Sequence, residues 1–298
     1  MKNFIVTNLV LCAIFLFQCK YDNIETLEND CESIGAYGTG AIYDTLLQTF
    51  PCFNPANPNE FLFVESRKNT PQRIYKYNFS TLMKTLIFEG VSLFPPKWGK
   101  SDWILLGIDG NIWKIKSEGS DFTQLTFSGK DYSPEWVGED KFVTDHKEAQ
   151  APMIMYDLNG VALDTFSNGY SGVSCSYWGN RIIFGSGDAY KTIHLANDSL
   201  TSIPYGVTIK GANVIFIGEN EVMRSDFLGI YRRNLNELKD IWVHDACTSR
   251  FYGSPSYSPQ RNQVLWEKVT IDDRNNFVRS RFVIMNIDGT GEEELVIP

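Results

Sequence analysis

Apolar and polar residues alternate in short runs along this chain, and no segment sustains the 3.6-residue period of a helix. Six segments share one pattern: "IYKYNFS" from Ile74, "IWKIKSEG" from Ile112, "IMYDLNG" from Ile154, "IHLANDS" from Ile193, "IYRRNLN" from Ile230 and "VIMNIDG" from Val283. Each begins on Ile or Val, runs through strand-compatible residues and meets an Asn, Asp, Ser or Gly turn. Successive starts lie 38, 42, 39, 37 and 53 residues apart, the last interval being lengthened by "TIDDRNNFVRSR" (Thr270 to Arg281). Another short apolar segment follows each, such as "KTLIF", "FTQLTF" or "VALDTF".

A second series precedes the first. "KWGKSDWILLG", "EWVGEDKFVTD", "YWGNRIIFGSG", "IFIGENEVMRS" and "YSPQRNQVLWEKV" each read as strand, polar turn, strand, and "NPNEFLFVES" is a weaker sixth copy. Four short strands every ~40 residues is the signature of a propeller blade. One blade cannot bury both its faces, whereas six around an axis bury each face against a neighbour. The expected fold is all-β: a six-bladed β-propeller of four-stranded antiparallel blades over residues 34–298. Trp98, Trp136 and Trp178, at the ends of first strands, are expected between blades, and residues 34–50 either lend a strand to ring closure or pack beneath the ring.

"LTFSGKDYSPEWVGEDKFV" resembles the TolB-type propeller repeat, with Leu-Thr, a Gly/Asp crossover, Pro-x-Trp, a turn and an apolar strand. "SPSYSPQRNQVLW" followed by "VIMNIDGTGEEEL" resembles the same repeat. The likeness spans roughly 51–298; blades four and five lack the Ser-Pro and match in outline. TolB carries a separate amino-terminal α/β domain for which this chain has no room, so the resemblance implies the propeller alone and no role in the Tol system.

The first residues read as a targeting signal: Lys2, an apolar stretch from Phe4 to Phe17, then "LFQC" ending at Cys19. The run is short for a membrane span, which needs about 20 apolar residues. Leu-x-x-Cys resembles the bacterial lipoprotein box, which implies a signal peptide over 1–18 and lipidation of Cys19. Gln18 and Phe17 depart from the usual small residues, and an ordinary secretory signal cut elsewhere is the alternative. Residues 19–33, with Asp22, Glu25, Glu28 and Asp30, read as an acidic tether. The expected location is the envelope of a Gram-negative bacterium, as an outer-membrane lipoprotein, with the N-terminal lipid as the sole membrane attachment.

Without the leader, 26 basic residues face 36 acidic ones, which disfavours nucleic-acid binding. Cys31, Cys52, Cys175 and Cys247 are compatible with disulfides, Cys31–Cys52 or Cys175–Cys247, or with separate buried thiols. No Cys-x-x-Cys or His-x-x-x-His spacing occurs, so neither a metal nor a cofactor is expected. There is no Gly-x-Ser-x-Gly elbow, phosphate-cradling loop or dinucleotide fingerprint. "NIDGTGEEE" lacks the ligand spacing of a calcium loop and reads as a hairpin turn. His146, His194 and His244 fall in different blades at different depths. No catalytic residues are assigned; the rival reading is a polysaccharide hydrolase or lyase using carboxylates at the channel mouth.

What remains is a loop rim. Loops from second to third strands, and from fourth strands to the next blade, emerge on the same side. They carry aromatic and charged residues: Phe94, Asp131, Tyr132, Asp145, His146, Tyr170, Asp188, Tyr190, Tyr205, Arg224, Asp226 and Tyr252. Such a rim suits an envelope protein, peptide or glycan bound by a monomer, since Tyr offers contact area with a polar handle. The structural alternative is that these aromatics plug gaps between blades. Within "SGKDYSPEWVGEDKFVTDH", Asp131 and Tyr132 on one loop and Asp145 and His146 on the next are expected to form one patch.

Overall fold

The computed structural model describes residues 46–67, 69–91, 94–146, 152–166, 175–186, 189–204, 213–225, 229–245, 250–271 and 277–298. They form six four-stranded antiparallel sheets, each made from one contiguous stretch of chain. Blade one holds β1 (Leu47–Phe53), β2 (Glu60–Ser66), β3 (Gln72–Asn78) and β4 (Met83–Gly90). Blade two holds β5 (Lys97–Trp98), β6 (Trp103–Ile108), β7 (Asn111–Lys116) and β8 (Thr123–Gln124). Blade three holds β9 (Asp131–Val137), β10 (Lys141–His146), β11 (Met153–Asp157) and β12 (Ala162–Phe166). Blade four holds β13 (Cys175–Trp178), β14 (Arg181–Ser186), β15 (Ala189–His194) and β16 (Ser199–Pro204). Blade five holds β17 (Asn213–Gly218), β18 (Glu221–Ser225), β19 (Gly229–Asn234) and β20 (Lys239–Asp245). Blade six holds β21 (Arg250–Ser258), β22 (Gln263–Ile271), β23 (Phe277–Asn286) and β24 (Glu293–Leu295). The first strand of each blade touches the first strands of its neighbours, and β1 touches β21, so the ring closes as a six-bladed β-propeller.

Second strands are buried on both faces, which is why they read as unbroken apolar runs such as "FLFV" and "ILLG". Alternate residues point to opposite neighbours. Phe61 and Phe63 pack against blade six, while Leu62 and Val64 pack against blade two. All six hydrophobic clusters of buried residues straddle a joint between consecutive blades. Trp98 and Trp136 lie buried in two of them, and Trp178 packs against a third.

The third-strand pattern is real, but its register differs from the sequence reading in three blades. Equivalent positions, counted back from the turn, are Ile74, Ile112, Met153, Tyr190, Ile230 and Phe282, all buried. Ile154, Ile193 and Val283 are offset from this position, because burial there accepts any large apolar side chain and not only a β-branched one.

The Ser-Pro of the repeat also acquires a cause. Phe50, Ser133 and Ser254 each precede a proline, each has positive φ (57°, 22° and 45°), and each sits at a register shift of its blade's first two strands. The proline has no N–H to give to the ladder, so the strand bulges there.

Among the described residues, the joint between blades six and one has no shared strand. β1 is the innermost strand of blade one, so residues 47–50 do not complete blade six; residues 34–45 lie outside the described residues, as do the leader, Cys19 and the tether. An aromatic cluster of Phe53, Phe61, Phe63, Tyr77 and Phe282 fills this joint, with Phe61–Phe282 and Phe63–Phe282 edge-on at 5.6 and 5.5 Å. Polar contacts flank it. Phe53 N–H donates to Ser256 Oγ (2.9 Å), Gln260 Nε2 donates to Pro55 O (2.9 Å), and Ser280 Oγ donates to Gln48 O. Glu267 accepts from Phe50 N–H (3.3 Å) and lies 3.3 Å from Ser280 Oγ.

Burial pushes the Glu267 carboxyl up to about 7, outweighing these hydrogen bonds. A raised carboxyl pKa favours the folded state most below the unfolded value of 4.5, and that contribution is lost as pH rises through about 7. Urea unfolding at pH 5 and pH 8 should show wild type weaker at pH 8 by about 2.5 kcal/mol from this group. Glu267→Gln should flatten that part of the difference; an unchanged pH dependence would refute the assignment.

Candidate functional site

The four residues singled out in blade three lie at one end of its first two strands. In the β9–β10 ladder Tyr132 stands opposite Asp145 and Asp131 opposite His146, which puts the two loops at one end of the blade. Phe94 joins from the preceding crossover, its ring edge-on to Tyr132 at 4.6 Å. Gly107 leaves room for it, since a Cβ there would come 2.9 Å from the Phe94 Cβ. Phe94 and Tyr132 are half-buried, so each keeps a face towards solvent. Asp131 is fully buried instead: Ser128 Oγ and Thr144 Oγ1 donate to its carboxylate at 2.6 and 2.9 Å. It holds the crossover to β10.

Three other rim residues turn inwards as well. Tyr190 is buried between blades four and five. Arg224 is buried, paired with Asp240 (3.1 Å) and stacked over Tyr231. Tyr252 is buried between blades five and six, its hydroxyl 2.9 Å from His244 Nε2 and 3.3 Å from Glu292 Oε1. Glu292 also meets His244 and Lys268 at 2.9 Å each, and these bonds, His244 first, pull its carboxyl down to about 2. All four buried residues pack or pair within the ring. A loop-entry position offers an aromatic or charged side chain both an outward and an inward course, and burial against the next blade wins. Tyr170, Asp188, Tyr205 and Asp226 lie outside the described residues; Asp145 and His146 are placed by backbone alone.

A second feature lies on the axis. A cavity of about 500 Å³ is lined by the first strands of all six blades. The residue before each blade's inner aromatic faces it: Cys52, Lys97, Glu135, Ser176, Ile215 and Ser256 in ring order. Three of these cap the inner edge of the following blade. Cys52 Sγ accepts from Trp98 N–H (3.3 Å), Ser176 Oγ from Phe216 N–H (3.1 Å) and Ser256 Oγ from Phe53 N–H (2.9 Å). Further lining residues, including Gly99, Lys100, Gly138, Glu139 and Pro259, belong to turns between first and second strands. The cavity therefore opens at the end of the ring opposite the Phe94–Tyr132 patch.

Lys97 and Glu135 break the capping pattern. Their side chains pair at 2.5 Å across the joint of blades two and three, and Trp136 Nε1–H donates to Lys97 O (2.9 Å). Burial works against both charges. For Lys97 the neighbouring carboxylate prevails and raises its pKa, whereas Glu135 is pushed up by burial with Lys97 pulling it back. Cys52 is likewise pushed up by burial, so it is a thiol rather than a thiolate. Cys52 is a free cysteine, whereas Cys31 and Cys247, the partners considered for the two disulfides, lie outside the described residues. Among the described residues no three His, Cys, Asp or Glu side chains converge as metal ligands.

No family model matches the sequence, and no curated protein matches it. Solved structures do. TolB from Acinetobacter baumannii superposes with a TM-score of 0.59 at 14% identity, covering 84% of this chain and 63% of that one. The β-propeller domain of the Trilobed protease from Pyrococcus furiosus, described as having an open velcro topology, gives 0.57 at 13% identity over 84% of each chain. A chain of a nidogen/laminin complex gives 0.52 at 10% identity, covering 67% of this chain and 79% of that one. The fold is a TolB-like propeller. This chain spans less than two thirds of the TolB chain.

Removing one member of the Lys97–Glu135 pair leaves the other partly buried and unpaired. Lys97→Met should lower the unfolding free energy by about 2 to 4 kcal/mol at pH 8, and less at pH 5 as Glu135 takes up a proton. Lys97→Met with Glu135→Met should return to within about 1 kcal/mol of wild type. Additive losses in urea unfolding would show that the pair is not coupled.

Proposed function

We propose that this protein is a lipid-anchored binding or scaffold module of the bacterial cell envelope, docking a protein partner on the loop rim of its propeller. The observation that carries this reading is the Phe94–Tyr132 pair. Two rigid aromatic faces stand at the end of the ring where the crossovers emerge, seated on a buried, hydrogen-bonded Asp131. Rigid aromatics lose little conformational freedom on binding and dominate interface energetics. The nidogen/laminin complex supports a protein partner only in showing that a fold of this kind occurs within a protein assembly. Lipid attachment at Cys19 is supported by the Leu-x-x-Cys segment, and an outer-membrane address by Lys20, rather than Asp, directly after that cysteine. Carboxylate-based hydrolysis or elimination has weaker support: of the two carboxylates lining the channel, Glu135 is paired with Lys97, and Glu139 lies exposed beside Lys100.

Two measurements test the reading. In a pull-down from envelope extract, Tyr132→Ala should cost at least about 1 kcal/mol of partner binding, hence several-fold lower retention of the partner. Retention of no protein by wild type, with turnover of an added polysaccharide, would replace this reading with the enzymatic one. Cys19→Ser should move the protein from the membrane to the soluble fraction, and unchanged membrane retention would refute lipidation.

A further inference from the structure

We propose that the axial cavity is a binding site for a neutral sugar of one or two rings, separate from the rim. The ring of side chains around it reads thiol, ammonium, carboxylate, hydroxyl, isoleucine, hydroxyl, from Cys52 to Ser256. Ser176 and Ser256 each use their oxygen to accept a backbone N–H. Among the described residues their hydroxyl hydrogens meet no acceptor, so both remain available as donors towards the axis. Lys97 spends one of its three N–H donors on Glu135. Glu135 Oε2 meets the Lys97 ammonium at 2.5 Å and takes no hydrogen bond from another described residue, leaving lone pairs unused.

The cavity thus offers donors from three blades and an acceptor from a fourth, with the two fixed charges cancelling. A ligand that fits must accept and donate at neighbouring atoms while carrying no net charge, and a sugar hydroxyl does both. An anion would face Glu135, and a cation would face Lys97. The wall between these groups is apolar and partly aromatic, with Tyr177, Trp178 and Tyr257 half-buried at the cavity. A volume of about 500 Å³ falls within the ordinary range for small-molecule sites, about 300 to 1,000 Å³.

The structural role of these positions does not account for the charged pair. Serine or cysteine suffices to cap the next blade in three joints, and Ile215 shows that an apolar residue is tolerated in a fourth. Placing an ammonium and a carboxylate there costs desolvation that an apolar pair would avoid. Charged groups held in a cleft at such a cost mark a functional site.

Trp98, Trp136 and Trp178 line the cavity, so intrinsic tryptophan fluorescence of the full chain in detergent reports occupancy. Glucose, maltose and cellobiose are the neutral probes, with glucuronate and glucosamine as charged comparators. Saturable change with a neutral sugar at a Kd on the order of 1 mM or tighter is expected. Ser176→Cys with Ser256→Cys, under reducing conditions, retains a capping atom of the kind Cys52 supplies and removes the strong donors; it should weaken binding on the order of ten-fold. Lys97→Met with Glu135→Met should abolish it, while Tyr132→Ala at the rim should leave it intact. The proposal is overturned by no saturable response to any neutral probe, by preference for glucuronate or glucosamine, or by unaltered binding in both double variants.

Discussion

The first strand of every blade has an inner edge with no strand beside it. Unpaired backbone groups at a sheet edge must find partners, and a ring leaves too little space at its axis for another strand. This propeller meets the demand with side chains reaching from the preceding blade. Cys52, Ser176 and Ser256 hold the N–H groups of Trp98, Phe216 and Phe53. Small acceptors at these positions keep the axis open, and the cavity is what remains once the edges are capped. The charged pair lies where that arrangement is interrupted, since an ammonium has no lone pair to offer a backbone N–H.

The same ring geometry decides where the hydrophobic energy resides. Among the described residues no cluster of buried apolar side chains belongs to a single blade; each is a joint between two. Five joints are also tied by the chain running from one blade to the next. The sixth has no such tie, and it carries the aromatic cluster around Phe61 and Phe282 together with the polar contacts from Ser256, Gln260, Glu267 and Ser280. Side-chain packing there takes the place of a strand shared between the first and last blades.

Strand number, blade number and the burial of Trp98 and Trp136 were legible because repetition amplifies a weak local signal. Single-residue register was not: Ile154, Ile193 and Val283 look like anchors until the turn positions reveal Met153, Tyr190 and Phe282. Side-chain direction was legible only in part. Phe94 and Tyr132 keep solvent-facing surface, while Tyr190 and Tyr252, similar in sequence context, are buried. The outcome depends on the shape of the next blade, which no short window of sequence contains. The channel pair did leave a trace. Lys97 and Glu135 stand between a proline and a tryptophan at matching positions of successive repeats, in "PPKWG" and "SPEWVG". Comparing charges at equivalent repeat positions would have found them, whereas scanning for motifs along the chain would not.

Because every blade is one uninterrupted stretch of chain, nothing in the ring depends on which blade is synthesised first. The first and last strands, β1 and β24, belong to adjoining blades, so the numbering of blades is an accident of where the ribosome starts. The architecture is in principle open to circular permutation: joining blade six to blade one and cutting an inter-blade crossover would reorder the sequence while preserving every neighbour relationship. A propeller closed by a strand borrowed from its far end lacks that freedom, since its first and last segments must share one sheet.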